Sequence, residues 1–329
     1  MNKYEELRNA IIDELKSNED YNMFKRYKGV DMVKRGDNHL YGIAFDIEDD
    51  SRMSPTYYVN NLWEETGLTE DHLKFLDEDK VKKIAKKMYD TAVDLFTNHQ
   101  KDTEKALKAR AEANDMSFEK TAYRILPVLV NTENNTDFLK DKPHRKIDQS
   151  ISMYYIVSFT SNMTRAITNE ILKSWNVDNV NEDKLFETAI NNIRQECVCT
   201  SIGNIINKLM DDNAPEGIDD INKGMYVLTN RSTDHMYGAS QILIKDNITS
   251  VLDKIKMDRA YILPSSIHEL IITNLNEDEE TVKNLSQMIK EVNATVVRPD
   301  DKLSDDLYHY VRGNDFVENV TSGEHIQLY

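Results

Sequence analysis

The sequence predicts an α+β protein, with mainly antiparallel sheets, helices packed on them, and two domains. Helical stretches with apolar residues three and four apart alternate with short β-branched and aromatic runs, and the C-terminal connections are short. The chain's 329 residues exceed the roughly 250–300 that one core usually serves. Residues 211–224 (DDNAPEGIDDINKG) mix acids, Pro and Gly without apolar periodicity. They read as an acidic linker between a mixed domain at 1–210, rich in long charged helices, and a compact α+β module at 225–329.

Tyr4, Leu7, Ile11 and Leu15 share one face, so 3–17 is expected to be a helix. Residues 22–46 change period: Val30/Met32 and Tyr41/Ile43/Phe45 alternate around Arg35-Gly36-Asp37-Asn38, the pattern of a hairpin. Thr56–Asn60 (TYYVN) follows Pro55 and reads as a strand. The longest helical signal covers 70–114, with Val81, Ile84, Met88, Ala92 and Leu95 aligned. Arg124–Asn131 (RILPVLVN) reads as an edge or bulged strand, and Met153–Phe159 (MYYIVSF) as a strong one. Asn181 caps an expected helix ending at Ile193.

In the module, strands are expected at 225–229, 239–244, 261–263, 270–273 and 307–311, and helices at 247–255 and 279–292. The order ββαββαβ fits helices layered on an antiparallel sheet.

Composition narrows the function. The net charge of −17 disfavours a general nucleic-acid binder, which needs clustered Lys and Arg. No window approaches ~18 uninterrupted apolar residues, so no membrane span is expected. The N-terminus lacks a signal peptide's apolar core, and only Cys197 and Cys199 are present, which points to a reducing cytoplasm. Nucleotide-binding glycine loops and the H-E-x-x-H, kinase and deaminase signatures are absent, and no cofactor is expected.

Several segments have a familiar form: Met225–Asn230 (MYVLTN), Gly238-Ala239, Tyr261–Glu269 (YILPSSIHE), Glu291–Thr295 (EVNAT) and Leu303–Asp305 (LSD). Upstream, so do Ser54–Asn60, Lys142–Lys146 and the region 153–193. Through them the chain resembles an uncharacterised bacterial family known only as a domain of unknown function, and distantly the YtpQ-like proteins. The resemblance covers most of the chain and implies no activity. That family often accompanies mobile elements, which implies a mobile-element or phage context here.

Ser265, Ser266, His268 and Glu269 form the most chemical cluster, since a nucleophilic hydroxyl needs a base and the base an orienting acid. The plain alternative is a strand–turn–strand connection in which Pro264 sets the turn and the serines satisfy backbone groups. No G-x-S-x-G elbow supports the catalytic reading.

Lys142, His144, Arg145 and Lys146 sit compactly around Pro143 and suit a phosphate or an acidic partner, and Asn230 joins them as a binding candidate. The alternative there is a solvated surface. Cys197 and Cys199 lack the further ligands of a zinc site, and the acidic runs lack calcium-loop spacing, so no metal site is expected.

Three functions follow. The first is a non-enzymatic binding or regulatory protein of the bacterial cytoplasm, with a protein partner or a small anionic ligand. The second is an unrecognised hydrolase or transferase using Ser265/Ser266 with His268. The third is an acidic decoy for a host or defence protein, which needs its carboxylates focused on one face.

Overall fold

Side-chain spacing sets the local structure of the first unit. The stripe on α1 (Lys3–Ser17) buries Leu7, Ile11 and Leu15. Strands β1 (Arg26–Lys34) and β2 (Asn38–Asp46) form the expected hairpin, in register from Arg26↔Asp46 to Lys34↔Asn38. At its tip Gly36 and Asp37 have positive φ of 72° and 48°, which suits Gly and Asp in a tight turn. A short β3 (Thr56–Tyr58) completes a three-stranded antiparallel sheet. Helix α2 (Glu78–His99) adds Ile84, Met88 and Ala92 to a core that also holds Tyr27, Ile43 and Phe45. Arg8 lies flat on β1 over Gly29, where a Cβ would sit 3.2 Å from its Cζ, and pairs with Asp31.

This computed structural model describes residues 3–46, 56–61, 77–99, 115–160, 163–209, 224–264, 266–274 and 279–329. The expected helical signal at 70–76 and beyond 99 lies outside them. The fold class is α+β, with antiparallel pairing in every sheet.

Chain proximity defines two compact units, Met1–Lys108 and Ala109–Tyr329. In the second, β4 (Ile125–Asn131) pairs with one edge of β6 (Ile151–Thr160), in register from Ile125↔Val157 to Asn131↔Ile151. The other edge of β6 takes β5 (His144–Lys146) and β7 (Met163–Ala166) end to end. A seven-stranded sheet has the order β14-β13-β12-β10-β11-β9-β8, built from β8 (Cys197–Ser201), β9 (Met225–Asn230), β10 (Arg259–Leu263), β11 (Leu270–Thr273), β12 (Tyr308–Val311), β13 (Phe316–Asn319) and β14 (His325–Gln327).

Both sheets feed one core. Ile151, Met153 and Tyr155 from β6 join Ala260, Ile262, Tyr308 and Tyr310 from β10 and β12. Helices α3 (Glu182–Ile193) and α4 (Lys245–Ile255) add Leu185, Ala189, Ile248 and Val251. On the opposite face of β10, Tyr261 and Leu263 meet Leu285 and Ile289 of α5 (Glu279–Thr295). That alternation is the two-residue period of a strand covered on both faces.

Two expectations are corrected. The boundary at 211–224 falls inside the second unit. Residues 211–223 lie outside the described ones, but β8 and β9 on either side pair from Cys197↔Asn230 to Ser201↔Tyr226. The apolar faces of 125–193 and of the supposed module bury each other, so neither stands alone. The strand expected at 239–244 is a 3-10 helix, Gly238–Leu243, buried at every residue. Tyr237, in the left-handed region at φ 61°, turns the chain into it. The hairpin of β13 and β14, and the short strands β5, β7 and β8, add to the strands expected.

Gly238 passes so close to its neighbours that a Cβ would sit 2.5 Å from Thr229 Cα and 2.6 Å from Leu228 O. Backbone on both sides cannot yield cheaply. Gly238→Ala is expected to cost at least about 2 kcal/mol in urea unfolding. A change below about 0.5 kcal/mol contradicts this packing.

Candidate functional site

The connection from β10 to β11 brings Ser266, His268 and Glu269 together and adds an acid that the sequence reading missed. His268 Nε2 lies 3.1 Å from Asp301 Oδ1. Its Nδ1 accepts the Tyr237 N–H at 3.5 Å. Ser266, 4% exposed, accepts the His268 backbone N–H at 3.0 Å, and its hydroxyl hydrogen-bonds to Glu269. Both ring nitrogens of His268 are thus spent on an acid and an amide, and neither reaches the Ser266 hydroxyl. The orienting half of a nucleophile–base–acid chain is present, while among the described residues the base makes no contact with the Ser266 hydroxyl. Ser265 lies outside the described residues. Asp301 is 32 residues beyond Glu269 in a charged loop, and nothing in its local pattern marks it.

Asn230 is 0% exposed. It donates to Tyr237 O at 2.9 Å and accepts from Gln241 Nε2 at 2.8 Å, and Gln241 in turn accepts from Asn247 at 2.7 Å. This buried amide relay holds the Gly238 turn, as buried polar groups must be satisfied. Asn230 is unavailable to a ligand.

The basic run 142–146 splits by strand alternation. Lys142 is buried: its Nζ donates to Phe138 O at 2.8 Å and to Asp141 at 2.6 Å, 3.9 Å from the Phe138 ring centroid. Arg145 forks onto Glu182 and Asp183 and lies 4.2 Å from the Phe186 ring centroid. Tyr155 donates to the same Glu182 carboxylate. Burial first, and then that carboxylate, push the Tyr155 hydroxyl far up. His144 and Lys146 point to the other face and are exposed. His144 Nδ1 lies 2.9 Å from Lys142 O.

Lys146 opens onto a cleft of about 430 Å³ lined also by Ile147, Asp148, Gln149, Gly323, Glu324 and His325. Two hairpin tips form it, one joining β5 to β6 and one joining β13 to β14. Asp148 orders the first tip: Oδ1 accepts the N–H groups of Ser150 and Ile151 at 2.8 and 2.7 Å, and Oδ2 accepts the Tyr308 hydroxyl. Glu324 Oε2 accepts the Gln149 N–H at 2.9 Å and joins the two tips. His325 stacks on Phe316 with centroids 3.9 Å apart. The Lys146 ammonium and the Gln149 amide have no hydrogen-bond or ion-pair partner among the described residues, and His325 has only its stacking contact. None of residues 266–269 lines this cleft.

A second hollow of about 370 Å³ is lined by residues including Asn169, Lys173, Asn181 and Glu182. Among the described residues, no group of three His, Cys, Asp or Glu is placed to hold a metal ion. Cys197 and Cys199 are free and half-buried, and burial pushes the Cys197 thiol up to about 11. No described helix is long and apolar enough to cross a membrane.

A family profile described as a family of unknown function, DUF5688, matches residues 4–312. The chain belongs to DUF5688. Neither a curated protein nor a solved structure matches it. The DUF5688 match covers the β5–β6 wall of the cleft, while Gly323, Glu324 and His325 lie beyond the matched span. The segments that carried the resemblance hold the scaffold: Asn293 donates to Ser304 O at 2.9 Å and to Asp305 at 2.7 Å, and Asn131 donates to Leu303 O at 3.1 Å.

Burial raises the Glu269 carboxyl above its ordinary value, with the His268 charge and the Ser266 hydrogen bond opposing and Asp301 adding to the rise. An acid raised in the folded state binds its proton more tightly there. Its contribution to stability is therefore present at low pH and lost as pH rises from the ordinary glutamate range through the folded value. Glu269→Gln is expected to flatten stability over that window, measured by urea unfolding at stepped pH. An unchanged pH profile contradicts this.

Proposed function

We propose that the protein binds a small anionic ligand without transforming it, in the cleft between the two hairpin tips. One observation supports this most. The carboxylates of the cleft are engaged, Asp148 through both oxygens and Glu324 through Oε2, whereas the side chains of Lys146, Gln149 and His325 offer donor groups with no hydrogen-bond partner among the described residues. A phosphate or carboxylate there gains charge-assisted hydrogen bonds. The side chains best suited to catalysis are spent elsewhere: His268 between Asp301 and an amide counts against the hydrolase reading.

Two free thiols fit a reducing bacterial cytoplasm. The decoy reading draws little support, because many described carboxylates are paired with a neighbouring cation, as in Glu78–Lys82, Asp90–Lys86 and Asp253–Arg312.

Calorimetric titration with inorganic phosphate and with citrate is expected to show binding that Lys146→Ala weakens about tenfold. Equal affinity in wild type and Lys146→Ala contradicts the assignment. Turnover in an unbiased metabolite screen, abolished by His268→Ala, overturns the non-enzymatic half of the reading.

A further inference from the structure

In an extended strand alternate residues share a face, at about 7 Å per two-residue step. On β1 this groups Arg26, Lys28, Val30, Met32 and Lys34, and the register adds Gly42 from β2 and Tyr58 from β3. Helices α1 and α2 pack on the opposite face, against Tyr27, Ile43 and Phe45. Arg26, Lys28 and Lys34 are exposed, and none forms an ion pair among the described residues. Tyr58 lies across Gly42, where a Cβ would sit 3.0 Å from the ring. Its hydroxyl reaches Met32 Sδ at 3.3 Å, and Lys34 Nζ is 5.5 Å from the ring centroid. The missing side chain at Gly42 lets an aromatic ring lie along the sheet, with cations towards both ends of the adjacent strand.

We propose that this face is a stacking platform for single-stranded nucleic acid, with a base on Tyr58 and flanking phosphates on Lys28 and Lys34. Stacking on aromatic side chains along a basic track is how proteins hold single strands without reading sequence. A duplex hides its base faces, so a ring lying on a sheet meets only an unstacked base. The charge of −17 does not forbid this, because exposed charges beyond a Debye length of about 8–10 Å are screened. The local balance decides, and among the described residues of this face the three cations Arg26, Lys28 and Lys34 stand with one acid, Asp46, in register with Arg26.

The test is fluorescence anisotropy of the full chain with a short labelled oligothymidylate, the matching duplex, and phosphatidylserine vesicles as a further arm. Binding of the single strand is expected, with a log–log salt slope of about −1.4 to −2 for two or three phosphates. Tyr58→Ala should lose at least about fivefold in affinity and Tyr58→Phe should keep it. Should Tyr58→Ala fail to fold, the exposed double variant Lys28→Gln/Lys34→Gln serves instead, with a salt slope shallower by about 1.4. Absent single-strand binding, equal binding of the duplex, preference for vesicles, or affinity indifferent to these variants overturns the proposal.

Discussion

The second unit depends on one buried contact, the hydroxyl of Tyr308 donated to the carboxylate of Asp148. The two residues are 160 positions apart, Tyr308 on β12 of the seven-stranded sheet and Asp148 in the tip that joins β5 to β6. Tyr308 is 0% exposed and Asp148 is 7% exposed. A carboxylate so placed is tolerated only when its oxygens are satisfied, and here one takes two backbone amides and the other the phenol. Burial, followed by that carboxylate, pushes the Tyr308 hydroxyl up, so it stays a donor. The same contact fixes the β5–β6 tip, and Gln149 beside it reaches Glu324 on the facing hairpin. The seam between the sheets and the shape of the cleft share one cause.

Polar chemistry in this chain is mostly structural. Asn230, Gln241, Asn247, Asn293 and Lys142 are all committed to neighbouring carbonyls, amides or acids. Burying such groups unpaired costs about 1–3 kcal/mol each, and most are matched, with Asn293 Oδ1, Thr273 Oγ1 and the Tyr310 hydroxyl left without a partner among the described residues. Groups that sequence spacing presents as reactive are therefore consumed by folding. Lys146, Gln149 and His325 at the cleft, and Lys28 on the first sheet, keep side-chain donors without a hydrogen-bond or ion-pair partner among the described residues.

Local periodicity made much of the fold legible. The stripes of α1, α2, α3 and α5 and the alternation of the β1–β2 hairpin appear in the sequence because burial on one face writes itself at period 3.6 or 2. The partition of the chain did not. The acidic, apolar-poor stretch at 211–224 looks like a linker from composition, yet β8 and β9 pair across it, and long-range pairing leaves no local mark. The 3-10 turn at Gly238 was illegible for a related reason: Ala239, Ile242 and Leu243 are buried by a close backbone crossing, not by a strand's alternation. At the candidate site, compactness in sequence misled. Arg145 and Lys146 are adjacent but face opposite ways on β5, so one closes an ion-pair network and the other opens onto the cleft. Asp301, His325 and Glu324 are placed only by tertiary structure.

The most direct measurement is a double-mutant cycle on Asp148→Asn and Tyr308→Phe, read by urea unfolding of the full chain. A coupling of about 1–3 kcal/mol is predicted, the range for a hydrogen bond to a buried charge. Additivity within about 0.3 kcal/mol would show that the pair does not hold the two sheets together, and the account of seam and cleft would be contradicted.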